Sequence, residues 1–248
     1  MLHASQVVGA VRRRAKNALT LARLQQFPVA VRQTWAKVRA EHLSYSTDAQ
    51  LLQLLTSVRA TAPSGALIIE TGCARGGASI LMCAMKASAR PMRIYDVFDM
   101  IPPPTEHDGG NMKERYAEIA SGKAVGLGGT KYYLYEADLQ AVVEGNFKRL
   151  GFPIGENNVQ LIKGKAQDTV AVNEPVALAN IDVDWYEPVS ACLERIMPHL
   201  IVGGSVAVRA YSDWQGARTA ADDYFAKNGR AGLVFDSSAG HLFITRVS

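Results

Sequence analysis

The stretch Leu67-Ile68-Ile69-Glu70-Thr71-Gly72-Cys73-Ala74-Arg75-Gly76-Gly77-Ala78-Ser79 decides the fold of this chain. Its apolar run ends in an acid, passes through glycines and opens into a helical pattern over residues 80–85. A strand, a tight loop and a helix N-terminus in this order are where a parallel α/β sheet binds a nucleotide-like ligand. The glycines let the backbone approach such a ligand closely. The stretch therefore predicts an α/β fold with its ligand site at this loop.

The spacing of the glycines distinguishes two kinds of nucleotide site. A dinucleotide fingerprint has a second glycine two positions after the first, and this chain has Ala74 there. An acid two residues before the first glycine, with another glycine four residues after it, instead resembles the motif of S-adenosylmethionine (AdoMet) methyltransferases. The resemblance implies that Glu70 lies beside the cationic amino-acid end of AdoMet, while Gly72 and Gly76 give the cofactor room. An ordinary βα turn would explain the glycines but not the acid.

The length and composition are typical of one globular α/β domain with an N-terminal extension. The chain has 248 residues, of which 48% are hydrophobic and 20% charged, which is enough for a sizeable core. No apolar run reaches the ~20 residues of a membrane-spanning helix, so no integral membrane span is expected. The cysteines are scattered without metal-type spacing, which predicts buried thiols in a reducing compartment and a cytoplasmic protein.

The net charge of +4 is unevenly distributed along the chain. Residues 1–40 contain eight Lys or Arg and no Asp or Glu, so the remainder is net acidic. A nucleic-acid enzyme more often carries its basic surface on the catalytic domain. We therefore expect a small-molecule substrate and no nucleic-acid partner.

Residues 1–62 are predicted to form an N-terminal helical arm or cap. Apolar residues at helical spacing predict a basic helix over 7–24, which ends before Pro28. Two further helices are predicted at 30–38 and 47–61. The basic helix suits a packing or dimer-forming arm that covers the active site, an interfacial membrane helix or a transit peptide. The first of these alternatives predicts a homo-oligomer, a dimer held by the arm.

Residues 63–248 are predicted to form the AdoMet-binding domain, a doubly wound, seven-stranded and mostly parallel sheet. After the first strand, the remaining strands are expected at 92–97, 159–163, 177–183, 205–211, 232–235 and 241–247. Helices are expected between them, at 139–150, 190–200 and 216–228. The last two strands form a terminal hairpin whose last strand inserts antiparallel, as in class I methyltransferases and uncommonly in nicotinamide domains.

Residues 101–129 are predicted to be a lid inserted after the second strand. They carry a triple proline and several glycine pairs, with one short helix around 112–120. Long loops inside compact domains are usually functional, and this one follows the carboxyl end of a strand, where ligands of open α/β sheets bind. We expect the acceptor to contact this lid and the arm.

Acids and an amide after the second and third strands are candidates for binding the nucleoside. Asp96 ends the second strand, where a carboxylate can accept hydrogen bonds from both ribose hydroxyls. Asp99 is the alternative if that strand is longer. After the third strand, Gln167 or Asp168 can bind the adenine amino group, or Asp168 and Thr169 cap the next helix.

The fourth strand ends in alternating polar residues, Asn180, Asp182 and Asp184. Alternation places them on one face of the strand. Carboxylates at the end of a central strand are costly unless they bind something or remain solvated. They could supply a general base, a metal site or, through Asp182, a contact with the sulfonium end of AdoMet; ion pairs with Arg195 or Arg209 are the simpler explanation.

The motifs together resemble the macrocin O-methyltransferase family, whose members methylate sugar hydroxyls of macrolide antibiotics with AdoMet and Mg²⁺. The resembling motifs are Glu-Thr-Gly-x-x-Arg-Gly-Gly-Ala-Ser at 70–79, Asp-x-Phe with Ile-Pro at 96–102, Asp168-Thr169, Asp-x-Asp-x-Tyr-Glu at 182–187 and Ala-x-Asp-Asp-Tyr at 220–224. The resemblance covers about residues 45–230 and implies a class I AdoMet-dependent O-methyltransferase of natural-product biosynthesis with an N-terminal arm and a mobile lid. Arg75 and Ser79 of the first motif are accordingly assigned to the cofactor site.

One departure from the family concerns the metal. The family carries adjacent acids where this chain has Arg209 and Ala210, and those acids hold the metal together with the second acid of the Asp-x-Asp pair. Mg²⁺ prefers carboxylate and water oxygens, and a guanidinium in their place would repel it. Asp184 remains as a lone former ligand, and Asp213 lies too few residues away to restore the site. We expect no metal site and no Mg²⁺ dependence.

Without a metal, transfer to a sugar or phenol-like hydroxyl needs a side-chain base. Asp184 is the first candidate and His107, on the lid, is the second because histidine titrates near working pH. Arg209 could stabilise the developing oxyanion, or it could merely neutralise Asp182 or Asp184. Two other functions stay open: a degenerate AdoMet-binding homologue without transferase activity, and a nicotinamide-dependent oxidoreductase, which would need the glycine that Ala74 replaces.

Overall fold

Seven strands form one sheet in the part of the chain that the structure, a computed structural model, describes: residue 20 and residues 22–248. The predicted helix over 7–24 therefore lies largely outside the described residues. The strands are β1 Leu67–Thr71, β2 Met92–Asp96, β3 Val159–Lys163, β4 Val176–Ile181, β5 Leu200–Val208, β6 Leu233–Asp236 and β7 Leu242–Arg246. Their order in the sheet is β3-β2-β1-β4-β5-β7-β6. β7 is antiparallel to both of its neighbours, and the other described pairs are parallel. The predicted seven-stranded sheet with an antiparallel last strand is confirmed.

Helices cover both faces of this sheet. The described helices are α1 Val29–Ala40, α2 Asp48–Ala60, α3 Gly77–Met85, α4 Gly110–Ala120, α5 Leu139–Arg149, α6 Ala166–Thr169, α7 Tyr186–Ile196 and α8 Gln215–Asn228. Alternate residues of the central strands face opposite cores, as Ile68 and Ile69 do in β1. Burial on both faces explains why the central strands are continuous apolar runs. None of the described helices combines the length and the apolar character needed to cross a membrane.

Three predicted boundaries are wrong in a way that affects the site. β4 ends at Ile181 rather than at residue 183, so Asp182 and Asp184 lie in the following loop. β5 begins at Leu200 and ends at Val208, and a 3₁₀ turn, Arg209–Ser212, follows it. α7 begins at Tyr186, four residues before the predicted start. The earlier ends of β4 and β5 leave Asp182, Asp184 and Arg209 outside the strands, at the carboxyl edge of the sheet.

The predicted lid is part of a longer insertion, residues 97–138. Besides α4 it contains the 3₁₀ turns Leu127–Gly129 and Tyr133–Tyr135, and a bridge joins Val125 to Lys131. Asp138 ends the insertion and caps α5, because its carboxylate accepts a hydrogen bond from Ala141 N at 2.9 Å.

The described part of the arm shares a core with the sheet. Val31 and Trp35 of α1 are buried in the same cluster as Leu51 of α2 and Ile80 of α3. The segment between α1 and α2 docks on the start of α3, where Gly77 N donates a hydrogen bond to Leu43 O at 3.1 Å. A Cβ at Gly77 would lie 2.5 Å from the carbonyl carbon and oxygen of Leu43.

We predict that Gly77→Ala lowers the free energy of unfolding by about 1–3 kcal/mol, because the added methyl group overpacks this contact. Gly110→Ala is the matched control, since Gly110 also begins a helix and a Cβ there would have nothing within 4 Å. Urea unfolding of both variants measures the difference. Equal unfolding midpoints would contradict the close docking of the arm on α3.

Candidate active site

A cavity of about 330 Å³ opens at the carboxyl ends of the central strands. Gly72 follows β1 on its wall, Asp96 ends β2, and Asp182 follows β4. This is the edge of an open α/β sheet at which ligands bind. The insertion, the arm and the loop after β3 complete the wall, with residues that include Ile101, Arg115, Ile119, Tyr45 and 164–167.

The structure brings half of the twelve predicted site residues to this cavity. The residues on the wall are Gly72, Asp96, Gln167, Asp182, Asp184 and Arg209. The residues away from the wall are Glu70, Arg75, Gly76, Ser79, His107 and Asp168.

Asp96 is fixed in place by the loop that follows β1. Its Oδ2 accepts a hydrogen bond from Cys73 N at 2.7 Å, and its Oδ1 accepts one from Phe98 N at 2.9 Å. Burial raises the pKa of its carboxyl group. Each carboxylate oxygen has a second lone pair, so Asp96 can still accept hydrogen bonds from a ligand in the cavity.

Glu70, which was predicted to lie beside the amino-acid end of AdoMet, is not among the residues of the cavity wall. It is buried, and its two carboxylate oxygens accept hydrogen bonds from the Ser79 hydroxyl and, at 2.7 Å, from Asn180 Nδ2. Burial raises the pKa of its carboxyl group well above the usual range. Glu70 therefore ties the end of β1 to α3 and β4, and Ser79 is engaged in the same contact.

Close packing requires glycine at positions 72 and 76 of the motif. Gly72 has φ +81°, and a Cβ there would lie 2.2 Å from the backbone oxygen of Asp182. Gly76 has φ +83°, and a Cβ there would meet Val143 of α5 at 3.2 Å. Both φ values favour glycine. Ala74, also on the cavity wall, has φ +49° without that freedom, a strain of the kind found at functional sites.

Three other predicted residues make contacts elsewhere. Arg75 Nη2 donates hydrogen bonds to Lys131 O at 2.9 Å and to Glu136 Oε1 at 2.6 Å, both in the insertion. His107 is exposed and stacks on the Tyr186 ring, with 4.9 Å between ring centroids. Asp168 is exposed inside α6, which begins at Ala166, so it is neither on the cavity wall nor a helix cap.

Acids and one cation meet on the cavity wall between β4 and β5. Arg209 Nε lies 3.4 Å from Asp182 Oδ1, and Arg209 Nη1 lies 3.7 Å from Asp213 Oδ2. Asp184 lies on the same part of the cavity wall. Burial, together with the negative charge of Asp182, raises the pKa of Asp184 to about 7. The site thus contains a carboxyl group that changes its protonation near neutral pH, beside a fixed positive charge.

This group of side chains does not fit a divalent metal ion. Arg209 stands among the carboxylates that would have to hold it, and its guanidinium would repel the ion. Within residues 20 and 22–248, no three His, Cys, Asp or Glu side chains are clustered so that they could coordinate a metal. Ala210, the neighbour of Arg209, is fully buried and has no ligand atom in its side chain.

The cavity also has an aromatic wall that was not predicted from the sequence, formed by Tyr45, Tyr132, Tyr133, Trp185 and Trp214. The Tyr45 ring meets the Tyr133 ring edge-on, with 5.6 Å between centroids, and the Tyr132 and Tyr133 centroids are 4.8 Å apart. The Arg115 guanidinium lies over Tyr132, 5.3 Å from its centroid. The only sequence signal was the run of tyrosines at 132–135, just beyond the predicted lid.

Comparison of the sequence with known families gives one match over most of the chain. The family model described as macrocin-O-methyltransferase (TylF) matches residues 47–233. A relative from Streptomyces olivaceus, 8-demethyl-8-(2,3-dimethoxy-alpha-L-rhamnosyl)-tetracenomycin-C 4'-O-methyltransferase, is 29% identical over 169 residues, 65% of this chain. The chain spans 59% of the length of that relative.

Comparison of structures shows the same fold in methyltransferases. The O-methyltransferase NovP has a TM-score of 0.65 at 23% identity, over 81% of each chain. The calicheamicin methyltransferase CalS11 has a TM-score of 0.57 at 16% identity, over 94% of this chain and 92% of its own. The methyltransferase PaMTH1 of Podospora anserina, solved with S-adenosylhomocysteine (SAH), has a TM-score of 0.55 at 15% identity, over 95% of this chain and 96% of its own. At these identities the likeness concerns the fold alone.

Proposed function

This chain belongs to the macrocin O-methyltransferase (TylF) family, and we propose that it transfers the methyl group of AdoMet to a hydroxyl group of a small natural product. The observation that carries the proposal is the shared cavity. One part of its wall has the buried acid Asp96, suited to a ribose, and another has Asp184, suited to receive a proton near neutral pH. An acceptor hydroxyl and a nucleoside cofactor could therefore be held in one space.

The proposed chemistry is an in-line displacement. AdoMet supplies a methyl group activated by its sulfonium centre. The acceptor oxygen would form the new carbon–oxygen bond as the carbon–sulfur bond breaks and SAH leaves, and Asp184 would take the hydroxyl proton. Arg209 supplies a positive charge for the developing oxyanion, and its ion pairs hold it there. His107 is not proposed as the base, because it lies outside the cavity wall.

The cofactor would be held mainly by residues at the ends of β1, β2 and β4. Asp96 is proposed to bind the ribose hydroxyls, Gln167 the adenine amino group and Asp182 the positively charged end. Glu70 and Ser79 act indirectly in this proposal, since their hydrogen bond fixes the loop between β1 and α3. Gly72 contributes backbone to the wall, while Arg75 and Gly76 support the loop through the insertion and α5.

We predict that Asp96→Asn weakens SAH binding roughly 10- to 100-fold, because hydrogen bonds to a charged acceptor contribute about 1.5–3 kcal/mol. Asp99→Asn is the matched control: Asp99 is exposed, three residues away and not on the cavity wall. Isothermal titration calorimetry with SAH measures both. Equal affinities would remove Asp96 from the ribose site, and binding of NAD(H) instead of SAH would favour the oxidoreductase alternative.

We predict that Asp184→Asn lowers kcat roughly 10²- to 10⁴-fold, the usual effect of a lost general base, with SAH affinity nearly unchanged. In the unaltered protein, kcat falls as the pH drops through about 7, because protonation of Asp184 removes the proton acceptor. Asp213→Asn, at the other carboxylate beside Arg209, should retain this acidic limb. Unchanged turnover in Asp184→Asn excludes it as the base. SAH binding without any transfer in the unaltered protein would point to the degenerate alternative.

We further propose that transfer needs no metal ion, because Arg209 takes the place of a cation beside Asp182 and Asp184. EDTA should leave the initial rate unchanged, and added Mg²⁺ should not raise it. Activity that is lost on chelation and returns with Mg²⁺ would contradict this role of Arg209.

The acceptor is proposed to carry its hydroxyl on a ring, as a sugar or a phenol does. The name of the Streptomyces olivaceus relative describes a rhamnosyl group on a tetracenomycin. This name favours a natural product as the acceptor. The aromatic wall supports a ring-shaped acceptor, since aromatic faces bind flat, weakly polar surfaces.

Two broader features belong to the proposal. The three cysteines are free and buried, which is compatible with a cytoplasmic enzyme. A dimer held by the arm is retained as a proposal, which light scattering on the full chain and on a chain without residues 1–19 would test.

A further inference from the structure

We propose that Asp108 is a latch that holds the insertion closed over the cavity and positions the loop that carries Asp184. The loop in question is residues 182–185, between β4 and α7. The SAH affinity and the acceptor KM measured below rest on the proposed function; the latch itself is a structural claim.

Asp108 is a buried carboxylate that joins two elements far apart in sequence. It belongs to the insertion, is 4% exposed, and its Oδ1 accepts a hydrogen bond from Tyr186 N at 2.8 Å. Its Oδ2 accepts hydrogen bonds from Thr105 N at 2.8 Å and Thr105 Oγ1 at 3.2 Å. Oδ2 therefore stabilises a turn within the insertion, and Oδ1 attaches the insertion to α7.

The N-terminus of α7 needs such a partner. Its N-cap residue is Trp185, whose side chain makes no capping hydrogen bond. The first backbone N–H groups of a helix have no partner within the helix, and a carboxylate is favoured there by the helix dipole. Asp108 supplies from the insertion the cap that the α7 sequence lacks.

A third element leaves space for this carboxylate. Gly216 lies in the first turn of α8, and a Cβ there would lie 2.1 Å from Asp108 Oδ1 and 3.0 Å from Tyr186 N. An alanine would be the better helix former by roughly 1 kcal/mol. Glycine at this position is explained by the close approach of Asp108.

The latch is connected to the cavity through Trp185. Trp185 Nε1 donates a hydrogen bond to Pro102 O at 2.8 Å, and both residues line the cavity. Trp185 directly follows Asp184. If Asp108 is released, the insertion loses its buried hydrogen bond to α7 and keeps there the exposed stacking of His107 on Tyr186. The wall segment around Pro102 and the loop with Asp184 are then held less firmly.

The test breaks the latch from both sides. Asp108→Ala removes the carboxylate. Gly216→Ala keeps Asp108 in the sequence, but the added methyl group displaces its carboxylate from Tyr186 N. Gly145→Ala is the control, since Gly145 is also a helix glycine and a Cβ there would have nothing within 4 Å. Limited digestion with trypsin reports on the insertion, which contains Lys113, Arg115 and Lys123. Asp108→Asn keeps one acceptor oxygen and should give an intermediate result.

We expect Asp108→Ala and Gly216→Ala to be cleaved in the insertion several-fold faster than the unaltered protein, with a smaller change in SAH affinity than in the KM for the acceptor, because only Asp182 of the cofactor contacts lies in the released loop. The KM for the acceptor should rise roughly tenfold, as pre-organised contacts from the insertion are lost, and Gly145→Ala should show none of these changes. Cleavage at the unaltered rate in Gly216→Ala, or a change in SAH affinity without a change in acceptor KM, would overturn the latch. If the unaltered protein transfers no methyl group, the proposed function fails, and the digestion alone still decides the latch.

Discussion

The central constraint on this structure is the burial of several acids at the carboxyl edge of one sheet. Asp96, Asp182 and Asp184 all line one cavity, and burial raises the pKa of each. Carboxylates this close disfavour one another's ionised form unless a positive charge compensates. Arg209 supplies that charge, at 3.4 Å from Asp182. Arg209 also limits the rise in the pKa of Asp184, of which burial is the main cause, and the metal-free chemistry proposed for the site depends on this one guanidinium.

Features that depend on residues close together in the sequence could be predicted, and features that depend on residues far apart in the sequence could not. β3 lies at Val159–Lys163 as predicted, because its pattern is local and bounded by clear turns. Asp96 could be placed on the site from its position at a strand end alone. Glu70 stands at the end of β1 as well, yet it faces Asn180, which is 110 residues away. A local motif identifies which residues are constrained, whereas the side to which each one points depends on partners elsewhere in the chain.

The glycines of the loop after β1 illustrate the same limit. Their spacing identified the class of the fold, and the explanation attached to it was ligand space. In the structure, Gly72 makes room for the backbone of Asp182, and Gly76 makes room for Val143. The loop must pass close to the segment after β4 and to α5 whether or not a ligand is bound. The spacing of the glycines therefore indicates the fold directly. It indicates the cofactor only indirectly, because it identifies the fold.

The two parts of the cavity differ in how strongly the fold determines them. The wall around Asp96 and Gln167 consists of strand ends and short loops, whose positions follow from the register of the sheet. The aromatic wall is drawn from the arm, the insertion and loops after β4 and β5, which the register does not fix. Its geometry needs separate fastenings: Gly77 against Leu43, Arg75 to Glu136, and Asp108 to Tyr186. If the cavity holds cofactor and acceptor as proposed, substitutions in the insertion would change the acceptor site and leave the cofactor site intact, because they leave the register of the sheet untouched.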